Sequence, residues 1–240
     1  MLKILSIGNS FSQDAQRYLY ELAKQNGIEL KTVNLYIGGC SLKTHYLNII
    51  GNKTDYLFEF NGQNTGINVS IDQVLSSDDW DVITLQQVSS SSTNYETYTP
   101  YLEFIHEHVK KYCPKAKVYM HQTWAYEDGS DMLKNNGYLC AKDMFEDIKC
   151  SYNAAARAIN ADGIIPCGQV MFNATQMGIS KIHRDTFHAS LGVGRYMLAL
   201  TWYKALTGED ITQNSFSDFD CPVTEQEREI AIKAVCSAFE

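Results

Sequence analysis

Five short apolar segments alternate with segments of helical periodicity along this chain, and this alternation constrains the fold more than any other feature. The apolar segments are residues 2–7, 29–36, 80–85, 117–121 and 163–166. Short continuous apolar runs are typical of strands buried inside a parallel sheet. Strands separated by helices form right-handed crossovers within one sheet. We therefore predict a doubly wound α/β fold, with a parallel sheet of about five strands and helices on both faces.

The segments between these strands are predicted to be helices, because apolar residues recur there at helical spacing. The first predicted helix is expected to end before Gly27. The predicted helices cover residues 15–23, 42–50, 100–112, 144–159, 191–206 and 225–239. Residues 51–70 combine Gly, Asn and alternating aromatics, and we expect an inserted hairpin or an irregular excursion there. No repeat or linker divides the chain, so residues 1–240 are interpreted as a single domain.

The charge of the chain excludes two classes of partner. The sequence has 20 Lys and Arg against 28 Asp and Glu, which gives a net charge of -8. Nucleic acids and anionic membranes favour basic surfaces, and no basic stretch offsets the acidic average. We therefore expect neither a nucleic-acid nor a membrane partner.

The amino-terminal segment and the cysteines indicate the cellular compartment. Residues 1–8 are apolar, but this stretch is too short for the core of a signal peptide, and no segment reaches the length of a membrane span. The seven cysteines are scattered and contain no C-x-x-C motif, so neither a zinc ribbon nor a full disulfide framework is expected. These features predict a cytoplasmic protein with reduced thiols.

The carboxyl ends of the predicted strands are the expected place for a ligand, because open α/β sheets bind ligands there. Four loops leave those ends, namely residues 8–12, 37–41, 85–89 and 121–124. All of them carry polar side chains or glycines. The chemistry of the protein is therefore expected to lie in these loops.

Ser10 is the first candidate for a catalytic role, since it follows the first strand and precedes the first helix. A tight strand-to-helix turn exposes a nucleophilic serine and directs backbone N–H groups to the same place. The turn lacks a G-x-S-x-G pattern, because Ser12 stands where the second glycine would be. Residues 10–13 also match a helix capping box, so a purely structural role for Ser10 stays open.

Asp185 and His188 form the second candidate group. Their spacing lets one short turn place the carboxylate beside the imidazole, where it fixes the tautomer and stabilises an imidazolium. Asp185 is alternatively the N-cap of the helix that follows. A metal site made of His183, Asp185 and His188 is a weaker interpretation, and we predict no metal.

These candidates fit one reaction when they are taken together. The chain order is serine, aspartate and histidine, and two further loops lie between them. The backbone N–H of Gly39 and the side-chain amide of Gln86 or Gln87 are suitable donors to an oxyanion, together with the N–H of Ser10. Acyl transfer requires these roles, and all of the residues belong to the same edge of the predicted sheet.

The order and placement of these motifs resemble the SGNH (GDSL-like) hydrolases, which are flavodoxin-like α/β esterases and lipases. Residues 8–12 match the first block of that family, whose serine is the nucleophile. Gly39 matches the second block, whose glycine N–H serves the oxyanion hole. Asp185-x-x-His188 matches the fifth block, which supplies the acid and the base. The resemblance covers residues 2–206 and implies that Ser10, Asp185 and His188 are catalytic.

The third block departs from the family pattern. The family has Gly-x-Asn-Asp there, whereas this chain has glutamines at positions 86 and 87. One of them is expected to replace the asparagine as an oxyanion donor, and the sequence does not choose between them. This variant, with residues 121–126, resembles a bacterial subgroup of the superfamily. We expect Asn9, Gln122 and Trp124 to bind substrate.

The resemblance implies a serine esterase that needs no cofactor. The loops carry Asn, Gln, Ser, Tyr and Trp, which suit a sugar better than a fatty chain, so we expect a short acyl group, such as acetyl, on a carbohydrate. The expected partner is thus a small-molecule or glycan ester. Alternatives are a lipase or thioesterase, and a non-catalytic ligand-binding domain. Phosphate binding by residues 8–12 is disfavoured, because they lack the glycine spacing and the lysine of a P-loop.

Overall fold

A seven-stranded sheet forms the centre of the protein in the computed structural model, which describes residues 1–240. The strands are β1 (Leu2–Gly8), β2 (Leu30–Tyr36), β3 (Tyr56–Phe60), β4 (Gln63–Val69), β5 (Val82–Leu85), β6 (Lys117–His121) and β7 (Gly163–Ile165). Their spatial order is β4-β3-β2-β1-β5-β6-β7. The central strand β1 pairs in parallel with β2 on one side and β5 on the other.

Five of these strands form the parallel sheet that the sequence predicts. The pairs β5–β6 and β6–β7 are also parallel. Numbered among themselves, the parallel strands have the order 2-1-3-4-5, which is the flavodoxin-like order of doubly wound sheets. The predicted fold class is confirmed.

The segment at residues 51–70 corrects the predicted strand number from five to seven. It forms a hairpin, and β3 pairs antiparallel with β2 while β4 pairs antiparallel with β3. Asn61 and Gly62 make the two-residue connection with φ values of 48° and 74°. Positive φ at both positions is the requirement of a type I′ turn, for which Asn-Gly is the strongest short sequence signal. The segment is therefore a hairpin that adds two strands to the sheet next to β2, and not an irregular excursion.

Helices cover both faces of the sheet. They are α1 (Ser10–Gln16), α2 (Leu19–Gln25), α3 (Leu42–Ile50), α4 (Ile71–Leu75), α5 (Tyr101–Tyr112), α6 (Asp131–Asn135), α7 (Ala141–Ala158), α8 (Cys167–Gln176), α9 (Val193–Thr207) and α10 (Glu225–Cys236). The sequence predicted α1 and α2 as one helix and did not predict α4, α6 or α8. None of the helices combines the length and the apolar character that crossing a bilayer requires.

Two hydrophobic clusters lie on opposite faces of the sheet. Ile4 belongs to one cluster and its neighbour Leu5 to the other, because successive side chains of a strand point to opposite faces. Residues of α1, α2, α8, α9 and α10 fill the first cluster, and residues of α3, α5 and α7 fill the second. Both faces of the sheet are therefore closed, and its carboxyl edge carries the loops in which polar residues meet.

Candidate active site

The turn that carries Ser10 is held by its neighbours and leaves the Ser10 hydroxyl free. Asn9 caps α1, and its Oδ1 accepts a hydrogen bond from the N–H of Phe11 at 3.0 Å. Ser12 Oγ accepts from the N–H of Asn9 at 3.1 Å. The capping box predicted from the sequence thus exists, but Asn9 and Ser12 form it. Ser10 is the first residue of α1, and its side chain points to another partner.

That partner is His188. Ser10 Oγ lies 2.8 Å from His188 Nε2, although the two residues are 178 positions apart in sequence. The other ring nitrogen, Nδ1, lies 2.8 Å from Asp185 Oδ2. Asp185 Oδ1 accepts from the backbone N–H of His188 at 2.9 Å. The structure therefore brings the three predicted catalytic residues into one chain of hydrogen bonds, in the order that a serine nucleophile requires.

The charge of Asp185 suits its place in this chain. Partial burial opposes ionisation of the carboxylate, but hydrogen bonds from the ring and the backbone of His188 outweigh it and lower the pKa of Asp185. An ionised Asp185 can only accept a hydrogen bond, so the hydrogen of the neutral His188 ring lies on Nδ1 and is donated to Asp185 Oδ2. Nε2 is then left without a hydrogen and can accept the hydroxyl proton of Ser10. The electrostatics thus select the tautomer in which His188 is a base.

A tight turn presents Asp185 and His188 together. Its ends are joined by an isolated β-bridge between His183 and Ala189, and the N–H of Arg184 donates to His188 O at 3.0 Å. Thr186, at the tip, has a φ of 78°, which is unfavourable for a β-branched residue. Backbone strain of this kind persists only where the surroundings impose the conformation.

The segment that follows β6 supplies part of those surroundings. Trp124 Nε1 donates to Phe187 O at 2.8 Å, and the N–H of Glu127 donates to Thr186 O at 2.7 Å. Both bonds connect the loop after β6 with the turn at residues 183–189, which we call the acid–base turn. The acid–base turn is thus fixed against the carboxyl edge of the sheet.

Arg184 ties the acid–base turn to the helix that carries Ser10. Its Nη1 donates to Asp14 Oδ2 at 2.8 Å and to Asp14 Oδ1 at 3.0 Å. Asp14 is fully buried on α1, and Arg195 Nε also donates to it at 2.8 Å. A buried carboxylate is stable only when paired charges and hydrogen bonds compensate its lost hydration, and the two arginines provide that compensation.

Two backbone N–H groups are available beside Ser10. Gly39 has a φ of 63°, and its N–H has no acceptor within the protein. The N–H of Ser10 lies in the first turn of α1, where helical geometry provides no carbonyl partner. Asn9 Nδ2 donates to Cys40 O at 3.1 Å and so fixes the Gly39 loop beside the Ser10 turn. These N–H groups remain the predicted oxyanion donors.

The expectation that Gln86 or Gln87 supplies another such donor is corrected by the structure. Both side chains are buried. Gln86 Nε2 donates to Asn9 Oδ1 at 2.6 Å, and Gln86 Oε1 lies 2.8 Å from His121 Nδ1. Gln87 Nε2 uses its hydrogens on the carbonyl and hydroxyl oxygens of Thr97, at 3.0 and 3.2 Å. The glutamines therefore support the loops of the site instead of lining it.

The three residues expected to bind substrate also have other roles. Trp124 is fully buried and stacks on Phe11, with ring centroids 4.0 Å apart. Gln122 is buried, and its Oε1 accepts from the N–H of Gln169 at 3.1 Å. Asn9 borders the site, but its amide oxygen and nitrogen are bonded within the protein. We correct the expectation for Gln122 and Trp124, since neither side chain reaches the space beside Ser10.

A cavity of ≈ 290 Å³ lies beside Ser10 and His188. Its lining includes side chains outside the predicted site, namely Tyr36, Val88, Ser89, Tyr126, Met132 and Phe187. We call this space the Ser10 cavity. Phe187 was within reach of sequence reasoning, because it lies inside the Asp185-x-x-His188 motif. Met132 was not, because α6 was not predicted.

A larger cavity lies elsewhere. It measures ≈ 800 Å³ and is lined by residues that precede or begin β1, β5 and β6, such as Leu2, Asp81 and Lys117. These are the amino ends of the strands, opposite to the edge where α/β sheets bind ligands. Chemistry, and not cavity size, therefore identifies the candidate site.

Comparison with known families places this geometry in context. The family model of a domain of unknown function (DUF4886) matches residues 3–238. A crystal structure of a DUF4886 family protein from Bacteroides uniformis is 33% identical to this chain, with a TM-score of 0.93. The match covers 99% of this chain and 94% of that one. Among proteins with curated descriptions, none matches.

More distant structures share the fold. A member of the lipolytic G-D-S-L protein family from Veillonella parvula is 15% identical, with a TM-score of 0.57, over 86% of this chain and 99% of that one. A carbohydrate esterase of family 3 from Talaromyces cellulolyticus is 11% identical, with a TM-score of 0.55, over 87% of this chain and 97% of that one. The SGNH-hydrolase-like fold that the motifs predict is confirmed.

Proposed function

This chain belongs to the DUF4886 family, and from the hydrogen-bonded chain of Ser10, His188 and Asp185 we propose that it is a serine hydrolase that cleaves esters. The observation that carries the proposal is the 2.8 Å distance between Ser10 Oγ and His188 Nε2. A serine and a histidine at this distance, with a carboxylate on the other ring nitrogen, form the arrangement that activates a serine nucleophile.

The first half of the reaction forms an acyl-enzyme. Ser10 Oγ attacks the ester carbonyl carbon while His188 Nε2 takes the hydroxyl proton, and Asp185 stabilises the resulting imidazolium. The carbonyl oxygen gains the negative charge and accepts hydrogen bonds from the N–H groups of Ser10 and Gly39. The tetrahedral intermediate then collapses, and His188 returns its proton to the departing alcohol.

The second half of the reaction repeats these steps with water. His188 takes a proton from a water molecule, whose oxygen attacks the acyl carbon bound to Ser10. The same two N–H groups hold the oxyanion, and collapse of the second intermediate releases the acid and restores the Ser10 hydroxyl. Each step uses side chains and backbone groups of this chain alone.

The substrate we propose is a short-acyl ester, with acetyl as the acyl group, on a carbohydrate. The size of the Ser10 cavity supports the short acyl group, because ≈ 290 Å³ is just below the range of ligand pockets, which is roughly 300–1,000 Å³. Aromatic rings of Tyr36, Tyr126 and Phe187 border the cavity and suit the apolar face of a sugar ring. The carbohydrate esterase with this fold is consistent with such a substrate.

A comparison of substrates tests this proposal. We expect kcat/KM for p-nitrophenyl acetate to exceed that for p-nitrophenyl octanoate, and acetylated sugars to release acetate. A preference for octanoate would identify a lipase or thioesterase and would contradict the short-acyl proposal. Equal rates for the wild type and Ser10→Ala on every ester would contradict serine hydrolase chemistry.

A further inference from the structure

A second cavity lies behind the acid–base turn. It measures ≈ 380 Å³ and lies between the loop after β6, the start of α7, helix α8 and the segment that leads into the acid–base turn. Tyr126 lines both this cavity and the Ser10 cavity. The Tyr126 hydroxyl donates to Ser89 Oγ at 3.0 Å, which fixes the ring between the two spaces. The second cavity is therefore the neighbour of the Ser10 cavity, with one aromatic side chain in common.

The floor of the second cavity is apolar. Met171, Ile179 and Ile182 are buried and line it. Phe172, on the same helix as Met171, also lines it and stacks on Phe145 with ring centroids 4.8 Å apart. A fixed floor of this kind suits the carbon–hydrogen face of a compact ligand.

His183 lines this cavity and has an unused hydrogen-bond acceptor. His183 is only 5% exposed, and its Nε2 donates to Ala125 O at 3.0 Å. Because a carbonyl oxygen only accepts, the hydrogen is on Nε2, and Nδ1 is left as an acceptor. Nδ1 of His183 has no hydrogen-bond partner in the protein. Nε2 of His45 and of His121 also lacks a partner, but those two atoms are fully buried, whereas Nδ1 of His183 is not.

His183 stays neutral around pH 7 and so keeps this acceptor. Burial lowers the pKa of His183 to about 4, against smaller opposing effects that include the hydrogen bond to the Ala125 carbonyl. A neutral imidazole nitrogen accepts a hydrogen bond from a hydroxyl group and gives no attraction to an anion.

Charged groups of both signs lie at the cavity, with two carboxylates and one lysine in its lining. Glu127 pairs with Lys181 at 2.7 Å, and Asp128 accepts from the N–H of Ala141 at 2.9 Å. Lys142 also lines the cavity, opposite in charge to the carboxylates. Since acidic and basic side chains are both present, the site favours a neutral ligand with hydroxyl groups over an anion or a cation.

We propose that the second cavity binds a neutral sugar unit of the substrate, with one hydroxyl donating to His183 Nδ1 and the ring face lying on the apolar floor. This inference rests on the proposed ester hydrolysis. It places the esterified sugar unit in the Ser10 cavity and the adjacent sugar unit in the second cavity, with Tyr126 between them. Recognition of that sugar through contacts remote from Ser10 raises kcat/KM for esters of oligosaccharides.

The direct test is binding of an unesterified sugar. Ring nitrogen signals of His183 are followed by NMR in the Ser10→Ala protein while xylotriose is added. We expect the Nδ1 signal of His183 to shift with saturation, and the shift to disappear in a Ser10→Ala protein that also carries Ser180→Trp, which fills the cavity from its exposed rim. Signals that move only around Ser10, or no shift up to the solubility limit of the sugar, would overturn the inference.

A kinetic test uses the ratio of kcat/KM for acetylated xylotriose to that for acetylated xylose. We expect the wild type to favour the longer ester by ~10-fold and Ser180→Trp to reduce the ratio to about one. Ser217→Trp is the matched control, because Ser217 is exposed and lies outside the cavity, and it should keep the wild-type ratio. A wild-type ratio of one would overturn the inference. Absence of any Ser10-dependent hydrolysis would instead contradict the proposed function. The binding test stays valid in that case, because it uses an unesterified sugar and the Ser10→Ala protein.

Discussion

Asp14 and Arg184 are 170 positions apart in sequence and are joined by hydrogen bonds of 2.8 and 3.0 Å. Asp14 lies on the helix that Ser10 begins, and Arg184 immediately precedes Asp185. The ion pair therefore joins the helix that carries Ser10 to the turn that carries His188, and it lies outside the hydrogen-bonded chain of Ser10, His188 and Asp185. Removing it should affect the stability of the protein as well as its activity.

Asp14→Asn should lower the free energy of unfolding by about 3 kcal/mol, because removal of one partner leaves buried charge uncompensated. Arg184 would lose its carboxylate partner and Arg195 would keep only Asp220, and the two arginine side chains are only 26% and 12% exposed. Urea unfolding measures the change. Glu21→Gln is the control, because its pair with Lys24 is exposed and should contribute at most about 1 kcal/mol. Equal effects of the two substitutions would contradict a structural role for the buried pair.

Asp185→Asn should lower kcat by about 10³- to 10⁴-fold with little change in folding. An amide in place of the carboxylate no longer fixes the hydrogen on His188 Nδ1 and does not stabilise an imidazolium. The Asp185 side chain is 46% exposed, so the substitution buries no unpaired charge. Steady-state kinetics with p-nitrophenyl acetate, together with urea unfolding, separate the two effects. A loss of activity below tenfold would show that Asp185 does not orient the base.

Gly39→Ala should lower kcat by about 10²- to 10³-fold, because a displaced N–H no longer donates to the oxyanion. A Cβ at this position meets no atom within 4 Å, so the cost arises from the left-handed backbone alone. Gly27 offers the matched control, since its φ of 72° is similar and its Cβ would also be unobstructed. Gly27→Ala should cost similar stability, roughly 1 kcal/mol, and leave kcat unchanged. Parallel losses of kcat in both variants would argue against the Gly39 N–H as a donor.

Acidification should destabilise the wild type more than His183→Gln. Burial holds the pKa of His183 at about 4 in the folded protein, against about 6.5 for an unperturbed histidine. Between these values the unfolded chain binds a proton that the folded protein does not, so the contribution of His183 is present above about pH 6.5 and is lost towards about pH 4. The stability of the wild type relative to the variant should fall by about 3 kcal/mol across that window. Urea unfolding at several pH values measures it, and a constant difference would contradict the buried, neutral state of His183.

The sequence was sufficient to predict the parallel sheet and the residues that the structure brings together around Ser10. Ser10, Gly39 and His188 each follow or precede a recognisable element, and parallel strands bring their carboxyl ends to one edge. The hairpin was predicted only as one of two options. Its Asn61-Gly62 dipeptide indicates a type I′ turn, but the pairing of β3 with β2 depends on contacts that no local pattern encodes.

Side-chain direction explains the incorrect site residues. Gln86, Gln87 and Trp124 lie in the expected loops, but each side chain is buried and donates a hydrogen bond to a partner within the protein. Position after a strand predicts that a residue is near the site and does not predict which way its side chain faces. The pairing of Asp14 with Arg184 was also beyond the sequence, because it forms only after the whole sheet brings α1 and the acid–base turn together.

Covalent labelling of Ser10 tests the central claim most directly. A fluorophosphonate should modify the folded wild type at Ser10 alone, as mapped by mass spectrometry of peptides, and should abolish hydrolysis of p-nitrophenyl acetate. Ser90→Ala, which removes an exposed serine near the same cavity, should retain the label at Ser10. Ser10→Ala should lose both the label and the hydrolysis. An unlabelled Ser10 in the folded wild type, with hydrolysis unchanged in Ser10→Ala, would contradict the account.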